Sequence, residues 1–393
     1  MRIERVVIVG GGLAGLRTAA ELRARDYPGL ITMIGAEPHP PYDRPPLSKK
    51  LMLGELDSTS MADEAAGLDL ELRLGETATG LDDRVVRTGR AEYRFDRLVL
   101  ATGAAPIRLP GVGPQQVLRT IDDALAIRAA LRPGTRLVIV GAGWIGAELA
   151  TAAAARGCSV TVLEAAGTPA AAALGAAVGA QLVPWYAAAG VDLRLGQPVE
   201  SVQAGGLTLP GGGWLPADLV VTAVGVRPAT GWLAGSGVDL GNGVLVDAGL
   251  RASVPGVFAA GDCAAFWSGR FGLRLRVEHW DSALHAPRVA AANVLGGGEE
   301  YDPVPYFWSE QFGRMVQVAG QHGPGDQLIW RGDPAAPCWA ACWVDPSGRL
   351  AAVLTVGQPR DLLQGRRVIA AGRPVDLARL ADPAVPLREA AAG

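Results

Sequence analysis

Glycines at fixed intervals behind an apolar run are the first feature of this chain that could bind a ligand. Residues 6–9 are aliphatic and run into Gly10-Gly11-Gly12-Leu13-Ala14-Gly15, which has the spacing G-x-G-x-x-G. The pattern predicts a buried strand that turns into a helix. One glycine makes the turn tight, a second lets backbone N–H groups approach a pyrophosphate, and the third lets helix and strand pack closely. A diphosphate would lie at the helix N-terminus.

The same arrangement occurs a second time in the chain. Residues 137–140 are aliphatic and lead into Gly141-Ala142-Gly143-Trp144-Ile145-Gly146, and helix-favouring residues 147–150 follow. Two coincidental glycine turns would each need a strand before them and a helix behind them. The sequence therefore predicts two dinucleotide sites.

One acidic residue follows the second strand of each predicted βαβ unit. In such a unit, an acid at this place binds the hydroxyls of the adenosine ribose. Residues 16–25 have helical spacing and residues 30–34 predict the second strand, so Glu37 is the candidate in the first unit. In the second unit, the predicted strand of residues 160–163 ends directly in Glu164. Both carboxylates could accept hydrogen bonds from a ribose.

Two adjacent lysines stand out because the chain otherwise uses arginine for its basic side chains. Lys49 and Lys50 are the only lysines among 36 basic residues, and they follow a proline-rich stretch at residues 40–46. A compact ammonium group at a possible helix start, near Ser48, is an unusual choice in such a chain. We predict a functional role for Lys49, whereas Lys50 is equally compatible with a solvated surface position.

Further strands end in small residues, where the backbone can approach a ligand closely. Residues 95–100 lead into Ala101-Thr102-Gly103, residues 219–224 lead into Gly225, and residues 256–260 lead into Gly261-Asp262. Asp262 could equally cap a helix formed by the residues that follow it. Because the last of these turns comes after the second fingerprint, the order predicts that the chain leaves a first domain near residue 111 and returns near residue 241.

Length and composition indicate a globular protein with two or three domains. The chain has 393 residues, of which 49% are hydrophobic, and its net charge is −3. This balance does not favour nucleic acid or an anionic membrane as a partner. The alanine- and glycine-rich residues 165–186 are too weakly apolar for a membrane span and predict a loop and a helix.

The four cysteines predict neither disulfides nor a metal site. No C-x-x-C occurs, and Cys338 and Cys342 fall in one predicted strand, too far apart for a disulfide. We expect all four to be small core residues. Met1 is followed almost at once by the first strand, which predicts a cytoplasmic protein without a targeting segment.

The end of the chain changes character. Residues 274–280 alternate like a strand and lead into a predicted helix at residues 282–295. The last segment has no glycine fingerprint. It predicts an antiparallel sheet and one helix, with strands at residues 315–319, 327–330, 339–344 and 349–356, a hairpin turn at 345–348 and a helix at 359–371.

One stretch, Pro41-Tyr42-Asp43-Arg44-Pro45-Pro46-Leu47-Ser48-Lys49, resembles the signature of the ferredoxin reductases of oxygenase systems. This family includes the putidaredoxin, rubredoxin and biphenyl-dioxygenase ferredoxin reductases. Where the family often places an acid, directly after Gly35, this chain has Ala36. The similarity runs essentially from end to end and includes both fingerprints, Ala101-Thr102-Gly103, Val224-Gly225-Val226-Arg227-Pro228, Ala260-Gly261-Asp262 and Tyr306-Phe307-Trp308-Ser309.

The resemblance implies an α/β fold of two Rossmann-like dinucleotide-binding domains, one inserted in the other, plus a C-terminal α+β domain. FAD is expected in residues 1–110 and 241–305, and NAD in residues 111–240. Residues 306–393 are expected to form the C-terminal domain, which would cover the flavin and offer a docking surface.

The resemblance also implies roles for single residues. Glu148, which we expect on the first turn of its helix, would reach the nicotinamide, although favourable placement near a helix N-terminus is the alternative explanation for this acid. Lys49 would lie near flavin N5, and Trp280 would pack near the isoalloxazine ring. These three are the expected catalytic residues.

Two sets of cofactor contacts follow from the same resemblance. The set expected at FAD, besides Lys49 and Trp280, is Gly10, Gly12, Leu13, Ala14, Gly15, Glu37, Arg44, Ala78, Ala101, Thr102, Gly103, Arg119, Gly261, Asp262, Glu278 and His279. The set expected at NAD is Gly141, Gly143, Trp144, Ile145, Gly146, Glu164 and Gly225.

Two cofactor sites, one of them for flavin, imply hydride transfer from nicotinamide C4 to flavin N5. Disulfide reductases of this fold class need a cysteine pair beside the flavin, and none follows the first βαβ unit. The absence of cysteine from residues 40–53 also disfavours a peroxidase or oxidase that relies on one cysteine. A ferredoxin is therefore the leading electron acceptor. Rubredoxin is the alternative acceptor. In another interpretation, the chain is an NADH-binding flavoprotein similar to apoptosis-inducing factor.

Electrons delivered to a protein acceptor need an exit surface. By family position, Arg288 and Trp308 would face the ferredoxin, and Trp280 with Trp308 would line the exit. Further arginines could meet the acidic face that is typical of ferredoxins, namely Arg270, Arg274, Arg276 and Arg314.

Overall fold

The structure, a computed structural model, describes residues 3–391. The chain divides into two compact units, and each is assembled from three stretches of sequence. The first consists of the described residues of Met1–Asp43, Thr59–Ala105 and Arg227–Phe307. The second consists of Arg44–Ser58, Pro106–Val226 and the described residues of Trp308–Gly393.

A five-stranded parallel sheet forms the centre of the first unit. The predicted first strand occupies its middle, and residues 6–9 are buried because helices cover the sheet. The helices of this unit are Leu13–Ala24, Ala62–Ala66 and Trp280–Val294. The strands lie in the order Val257–Ala259, Arg97–Leu100, Arg5–Val9, Leu30–Gly35 and Glu71–Leu74.

Two smaller sheets complete the first unit. One is antiparallel, with strands Ala78–Asp82, Val85–Thr88 and Glu92–Arg94. The other is mixed, with strands Leu240–Gly241, Gly243–Val246, Ala264–Ser268 and Leu273–Leu275.

The mixed sheet corrects two predictions. The alternating run of residues 274–280 stays a strand only as far as Leu275, because the ladder with its neighbour ends at the pair Phe266–Leu275. Trp280 instead begins the long helix. Asp262 does not cap a helix, because it lies inside the short 3-10 turn Gly261–Cys263, and the chain continues as a strand.

A four-stranded parallel sheet forms the centre of the second unit, and the second fingerprint follows its strand Arg136–Val140. The two parallel sheets confirm the predicted α/β fold with two Rossmann-like parts. The sheet order is Asp192–Leu195, Ser159–Glu164, Arg136–Val140 and Leu219–Thr222. An antiparallel sheet adds Ser201–Gln203, Gly206–Leu209 and Gly213–Pro216. The helices are Ile121–Ala130, Trp144–Ala155, Ala171–Ala180 and Val183–Ala188.

The C-terminal segment forms the predicted antiparallel sheet, with one edge strand, Tyr306–Gln311, that the pattern did not predict. Trp339 and Leu354 pack in one apolar cluster with Leu174, Val178 and Trp185 from the fingerprint part of the same unit. The sheet is therefore built directly onto that part. Its strands lie in the order Tyr306–Gln311, Arg314–Gly320, Leu350–Val356, Trp339–Val344 and Gln327–Arg331, with helices Pro359–Ala371 and Leu377–Ala381.

The stretch that holds both lysines belongs to the second unit, although residues 44–58 precede most of that unit in the sequence. It forms the short helices Pro45–Ser48 and Lys50–Leu53. The guanidinium of Arg44 donates a hydrogen bond to the backbone oxygen of Arg119 at 2.6 Å. Two short strands, Ala104–Pro106 and Val226–Pro228, fall where the chain passes from one unit to the other.

All four cysteines are free thiols. Cys263 and Cys342 are buried as predicted, but Cys338 is exposed and Cys158 is half-buried, so the prediction of four core cysteines is wrong. Cys338 lies just before the strand Trp339–Val344, outside its buried face. None of the described helices is long and apolar enough to span a membrane.

Candidate functional site

Both fingerprint turns are too tight for a side chain at their last glycine. A Cβ atom on Gly15 would lie 2.0 Å from the backbone oxygen of Gly10, and a Cβ on Gly146 would lie 2.0 Å from that of Gly141. No heavy atom tolerates such an approach. The two turns therefore have the same backbone geometry, in which the helix begins directly against the preceding strand.

The helices behind these turns have N-termini without side-chain caps. Gly12 and Gly143 occupy the N-cap positions, and neither helix has an acid in its first turn. A Cβ on Gly143 would meet no described atom within 4 Å, so there is open space in front of this helix. Unpaired N–H groups and the positive end of the helix dipole suit a diphosphate. The residues present at both turns thus fit the dinucleotides that the resemblance implies.

Leu13 and Ala14 form the first turn of the helix Leu13–Ala24, and Trp144 and Ile145 form that of the helix Trp144–Ala155. Trp144 packs at the edge of the apolar cluster of the C-terminal sheet, whereas Ile145 is exposed. The contacts expected of these residues with the cofactors stay predictions.

Glu164 is held at the second fingerprint. Its carboxylate accepts hydrogen bonds from the backbone N–H of Ala142 at 2.7 Å and from that of Ala166 at 2.8 Å. These bonds fix the charge at the end of its strand, beside the glycine turn. Glu37 lies in the corresponding loop of the first unit and accepts a hydrogen bond from the Tyr42 hydroxyl. Its predicted ribose contact stays a prediction.

Four of the residues predicted at FAD converge at the first fingerprint. A Cβ on Gly10 would lie 2.0 Å from the backbone oxygen of Ala101, and one on Gly261 would lie 3.0 Å from the Cβ of Ala14. The hydroxyl of Thr102 donates to the backbone oxygen of Ala229 at 2.9 Å, which holds this turn in place. Glycine is therefore required at position 10 by the close approach of the Ala101 backbone, and it is favoured at position 261 by a left-handed backbone with φ at 75°.

The neighbouring residues have other surroundings. Gly103 has a left-handed backbone, with φ at 68°, which suits glycine. Ala78 is buried in an apolar cluster of the first unit, and its expected contact with FAD stays a prediction. Glu278 is exposed and pairs with Arg276. In the second unit, Gly225 has φ at 103° and ends the turn after the strand Leu219–Thr222.

Trp280 and His279 stand at the start of the long helix of the first unit. The indole N–H of Trp280 donates to the carboxylate of Asp43 at 2.8 Å, which fixes the ring. His279 packs its ring against Phe307, with centroids 4.5 Å apart. Burial lowers the pKa of His279 to about 4, although the Asp262 carboxylate opposes the shift, so the ring is neutral at neutral pH. Asp43 was not predicted at the site, although it lies in the stretch that carries the family resemblance.

Lys49 and Glu148 form a buried ion pair. The ammonium Nζ lies 2.8 Å from Glu148 Oε2, and the two side chains are only 13% and 2% exposed. Ser48 donates to the same oxygen, and Ser309 donates to Oε1 at 2.6 Å. A buried carboxylate needs such partners, because its loss of hydration is otherwise uncompensated.

This pair corrects the expected place of Glu148. Glu148 is the fifth residue of the helix Trp144–Ala155, and the first turn contains no acid. The helix begins before Gly146, so Glu148 falls in the second turn, where the interaction with the helix dipole is weak. The ion pair with Lys49, rather than the helix dipole, explains why an acidic residue occupies position 148.

Most of the arginines predicted at the exit surface already have local partners. Arg274 donates to two backbone oxygens at 2.7 Å each, and the guanidinium of Arg314 lies 4.9 Å from the centre of the Trp185 ring. Arg276 pairs with Glu278, and Arg270 donates its backbone N–H to Asp302. Arg288 is exposed and pairs with Glu299 at 2.7 Å. The expected contact of Arg288 with a ferredoxin stays a prediction.

We expect Gly12→Val to abolish FAD binding. The side chain would lie at the uncapped helix start, where backbone N–H groups must reach the diphosphate. The purified variant should be colourless, whereas wild type should be yellow with one noncovalent FAD. The flavin-to-protein absorbance ratio measures this. A full complement of FAD in the variant would contradict the placement of the diphosphate at this turn.

Comparisons with known proteins follow the same division of the chain. Residues 4–286 match the family described as pyridine nucleotide-disulphide oxidoreductase, and residues 306–391 match the one described as reductase C-terminal. The chain is 37% identical to the ferredoxin–NAD(+) reductase component of an anthranilate 1,2-dioxygenase system from Burkholderia cepacia, over 99% of each chain. It is 33% identical to putidaredoxin reductase from Pseudomonas putida, over 98% of this chain and 96% of that one.

Solved structures agree with these matches. The crystal structure of a covalent complex of putidaredoxin reductase and putidaredoxin superposes with a TM-score of 0.93 at 31% identity. It covers 98% of this chain and 97% of the other.

Proposed function

Because the chain belongs to the ferredoxin reductases of oxygenase systems, within the pyridine nucleotide-disulphide oxidoreductases, we infer that it is an FAD-containing enzyme that passes electrons from NADH to a ferredoxin. The ferredoxin would feed an oxygenase such as a ring-hydroxylating dioxygenase or a cytochrome P450. The observation that carries the inference is that one chain holds two uncapped fingerprint helices of the same geometry. The test is NADH-driven cytochrome c reduction through added ferredoxin, which should require that ferredoxin.

The chain's own residues bind and orient the cofactors. When bound, NADH supplies a hydride, and FAD accepts it and passes the electrons on singly. The first fingerprint and the Gly261 turn would hold the FAD diphosphate, and the second fingerprint with Glu164 would hold NADH. Lys49 would place its charge at the flavin, and Glu148 would hold that charge in position. Trp280, whose indole is fixed by Asp43, would exclude water from the isoalloxazine ring of the flavin.

We expect NADH to be preferred over NADPH by at least about tenfold in kcat/KM, because hydrogen bonds to a charged group contribute about 1.5–3 kcal/mol. Glu164 can accept hydrogen bonds from ribose hydroxyls, but it would repel a 2′-phosphate. Residues 165–173 contain no arginine or lysine to neutralise such a phosphate. Steady-state kinetics with both cofactors measure the ratio of kcat/KM for NADH to kcat/KM for NADPH. Glu164→Gln should lower this ratio. Equal kcat/KM values in wild type would contradict the assignment.

We expect Arg288→Glu and Trp308→Ala to weaken ferredoxin-coupled turnover without affecting flavin reduction by NADH. Opposite charges steer encounter more than they tighten a complex, so Arg288→Glu should lower the association rate roughly tenfold at low salt and less at high salt. Arg90→Glu, in an exposed hairpin turn, makes the same charge change as a control. If both variants match wild type at every ferredoxin concentration, the docking face lies elsewhere.

Two alternatives differ in where the electrons go. A rubredoxin reductase would turn over faster with rubredoxin than with any ferredoxin. A flavoprotein similar to apoptosis-inducing factor would form a long-lived reduced complex with NAD and reoxidise slowly with every acceptor. Stopped-flow reoxidation, with and without ferredoxin, separates these from the proposed reductase.

We further propose that residues 1–110 and 241–305 serve FAD, residues 111–240 serve NAD, and residues 306–393 form the third domain. We propose a cytoplasmic location, and four cysteines that stay free thiols support it, since disulfides are rare in reducing compartments.

A further inference from the structure

The buried ion pair of Lys49 and Glu148 is hydrogen-bonded to a residue of the C-terminal sheet. The hydroxyl of Ser309, in the edge strand Tyr306–Gln311, donates to Glu148 Oε1 at 2.6 Å. Ser309 is fully buried, and Glu148 is nearly so. The other carboxylate oxygen is taken by Lys49 and Ser48. Each oxygen of Glu148 therefore has its own donor, and the carboxylate cannot rotate without breaking one of these bonds.

A second residue of the same strand fixes the direction of the Ser309 hydrogen bond. Gln311, which is 2% exposed, donates its side-chain N–H to the Ser309 oxygen at 3.1 Å. A hydroxyl has one proton to donate. Because the Ser309 oxygen accepts from Gln311, its proton is directed to Glu148. The order of donation is Gln311 to Ser309 to Glu148, and Lys49 meets the carboxylate from the other side.

We propose that Ser309 is a positioning residue for flavin reduction, acting through Glu148 on Lys49, and that Gln311 supports it. The inference rests on the proposed function. It assigns the C-terminal sheet a part in the reaction with NADH, besides any part in docking. Without the Ser309 proton, Glu148 Oε1 accepts no hydrogen bond from residues 3–391, and the carboxylate can turn away from Lys49 or draw in water. The Lys49 ammonium then loses its fixed place.

The same sheet offers a matched control. Thr355 lies in the strand Leu350–Val356 of the same sheet, with one strand between it and Tyr306–Gln311. It is fully buried, and its hydroxyl has no hydrogen-bond partner among residues 3–391. Thr355→Val therefore removes a buried hydroxyl from this sheet without touching the network. Ser309→Ala makes the corresponding change inside it.

The experiment compares wild type, Ser309→Ala, Ser309→Thr and Thr355→Val as FAD-loaded full-length proteins. Stopped-flow reduction by NADH gives the limiting rate and the NADH dissociation constant. Redox titration gives the midpoint potential of the bound flavin, and thermal melting reports on folding. We expect Ser309→Ala to lower the limiting rate about tenfold, the effect of losing one hydrogen bond to a charged group. The NADH dissociation constant should change little, and the midpoint potential should become more negative.

Ser309→Thr keeps the hydroxyl and should restore most of the rate, whereas Thr355→Val should match wild type. If Ser309→Ala reduces its flavin at the wild-type rate and potential, the inference is wrong. If Ser309→Ala does not fold, Gln311→Leu provides the test. The Gln311 Oε1 of wild type has no hydrogen-bond partner among the described residues. Gln311→Leu removes this unsatisfied buried oxygen, so the variant should fold. An unchanged rate and potential in Gln311→Leu would then overturn the inference. Failure of wild type itself to reduce its flavin with NADH would count against the proposed function instead.

Discussion

Glu148→Gln is expected to lower the limiting rate of flavin reduction about 100-fold at saturating NADH, the size of effect seen when a placed electrostatic contact is removed from an active site. The amide keeps the shape of the side chain and can still accept the Ser309 proton. It loses the charge that holds the Lys49 ammonium at 2.8 Å. Stopped-flow absorbance of the flavin measures the rate.

Lys49→Met is expected to give a loss of similar size, because in the proposed function Lys49 would supply the positive charge that favours the anionic reduced flavin. It also leaves a buried carboxylate without its cation, which costs about 3–5 kcal/mol of stability for a buried pair. Thermal melting must therefore accompany the kinetics. Glu148→Gln should melt closer to wild type, so it is the cleaner test of chemistry.

Asp218→Asn serves as the control for losing an ion pair in the same unit. Asp218 pairs with Arg136 at an exposed place, and hydrogen bonds from Arg136 lower the pKa of this carboxyl to about 2. Solvent screens an exposed ion pair, which therefore contributes little to stability, so this variant should fold and reduce its flavin like wild type. If Glu148→Gln and Lys49→Met also reduce flavin at the wild-type rate, neither residue acts in hydride transfer.

Gly143→Val is expected to raise the dissociation constant of NADH at least about 100-fold while the protein keeps its FAD. The backbone of Gly143 has φ at −76° and ψ at −168°, which any residue can adopt. Its Cβ would point into open space, so the fold has no need of glycine here. In the proposed function, glycine is needed here because the diphosphate of NADH would approach the backbone N–H groups of this turn. Losing two charge-assisted hydrogen bonds of about 1.5 kcal/mol each gives this loss of affinity.

Substitutions at two further glycines serve as controls for Gly143→Val. Gly89→Val adds the same side chain at an exposed turn with open space, and should leave both cofactors bound. Gly146→Ala would drive a Cβ to 2.0 Å from a backbone oxygen, and should disrupt the fold. Fluorescence titration with NADH and the flavin absorbance distinguish these outcomes. Wild-type NADH affinity in Gly143→Val would place the diphosphate elsewhere.

The sequence by itself determined the features that depend on neighbouring residues. Both fingerprint turns, their strands and helices, and the antiparallel C-terminal sheet were predicted, because hydrophobic periodicity and glycine spacing act over a few residues. Local patterns failed where an element depends on distant partners. The run after Leu275 alternates like a strand, yet none of the described strands pairs with it. The edge strand Tyr306–Gln311 was missed because it is set by pairing within the sheet.

Only the tertiary structure decided which side chains meet. Lys49 is 99 residues from Glu148, Ser309 is 161 residues from it, and Asp43 is 237 residues from Trp280. No periodic pattern links positions so far apart. Buried charges and donors must find partners wherever the packed chain brings them, since an unpaired buried charge is strongly unfavourable. The packing of the chain therefore brings Ser309 to Glu148 as a donor. It also brings Arg274 to two backbone oxygens, so that its guanidinium binds within the chain rather than to a protein partner.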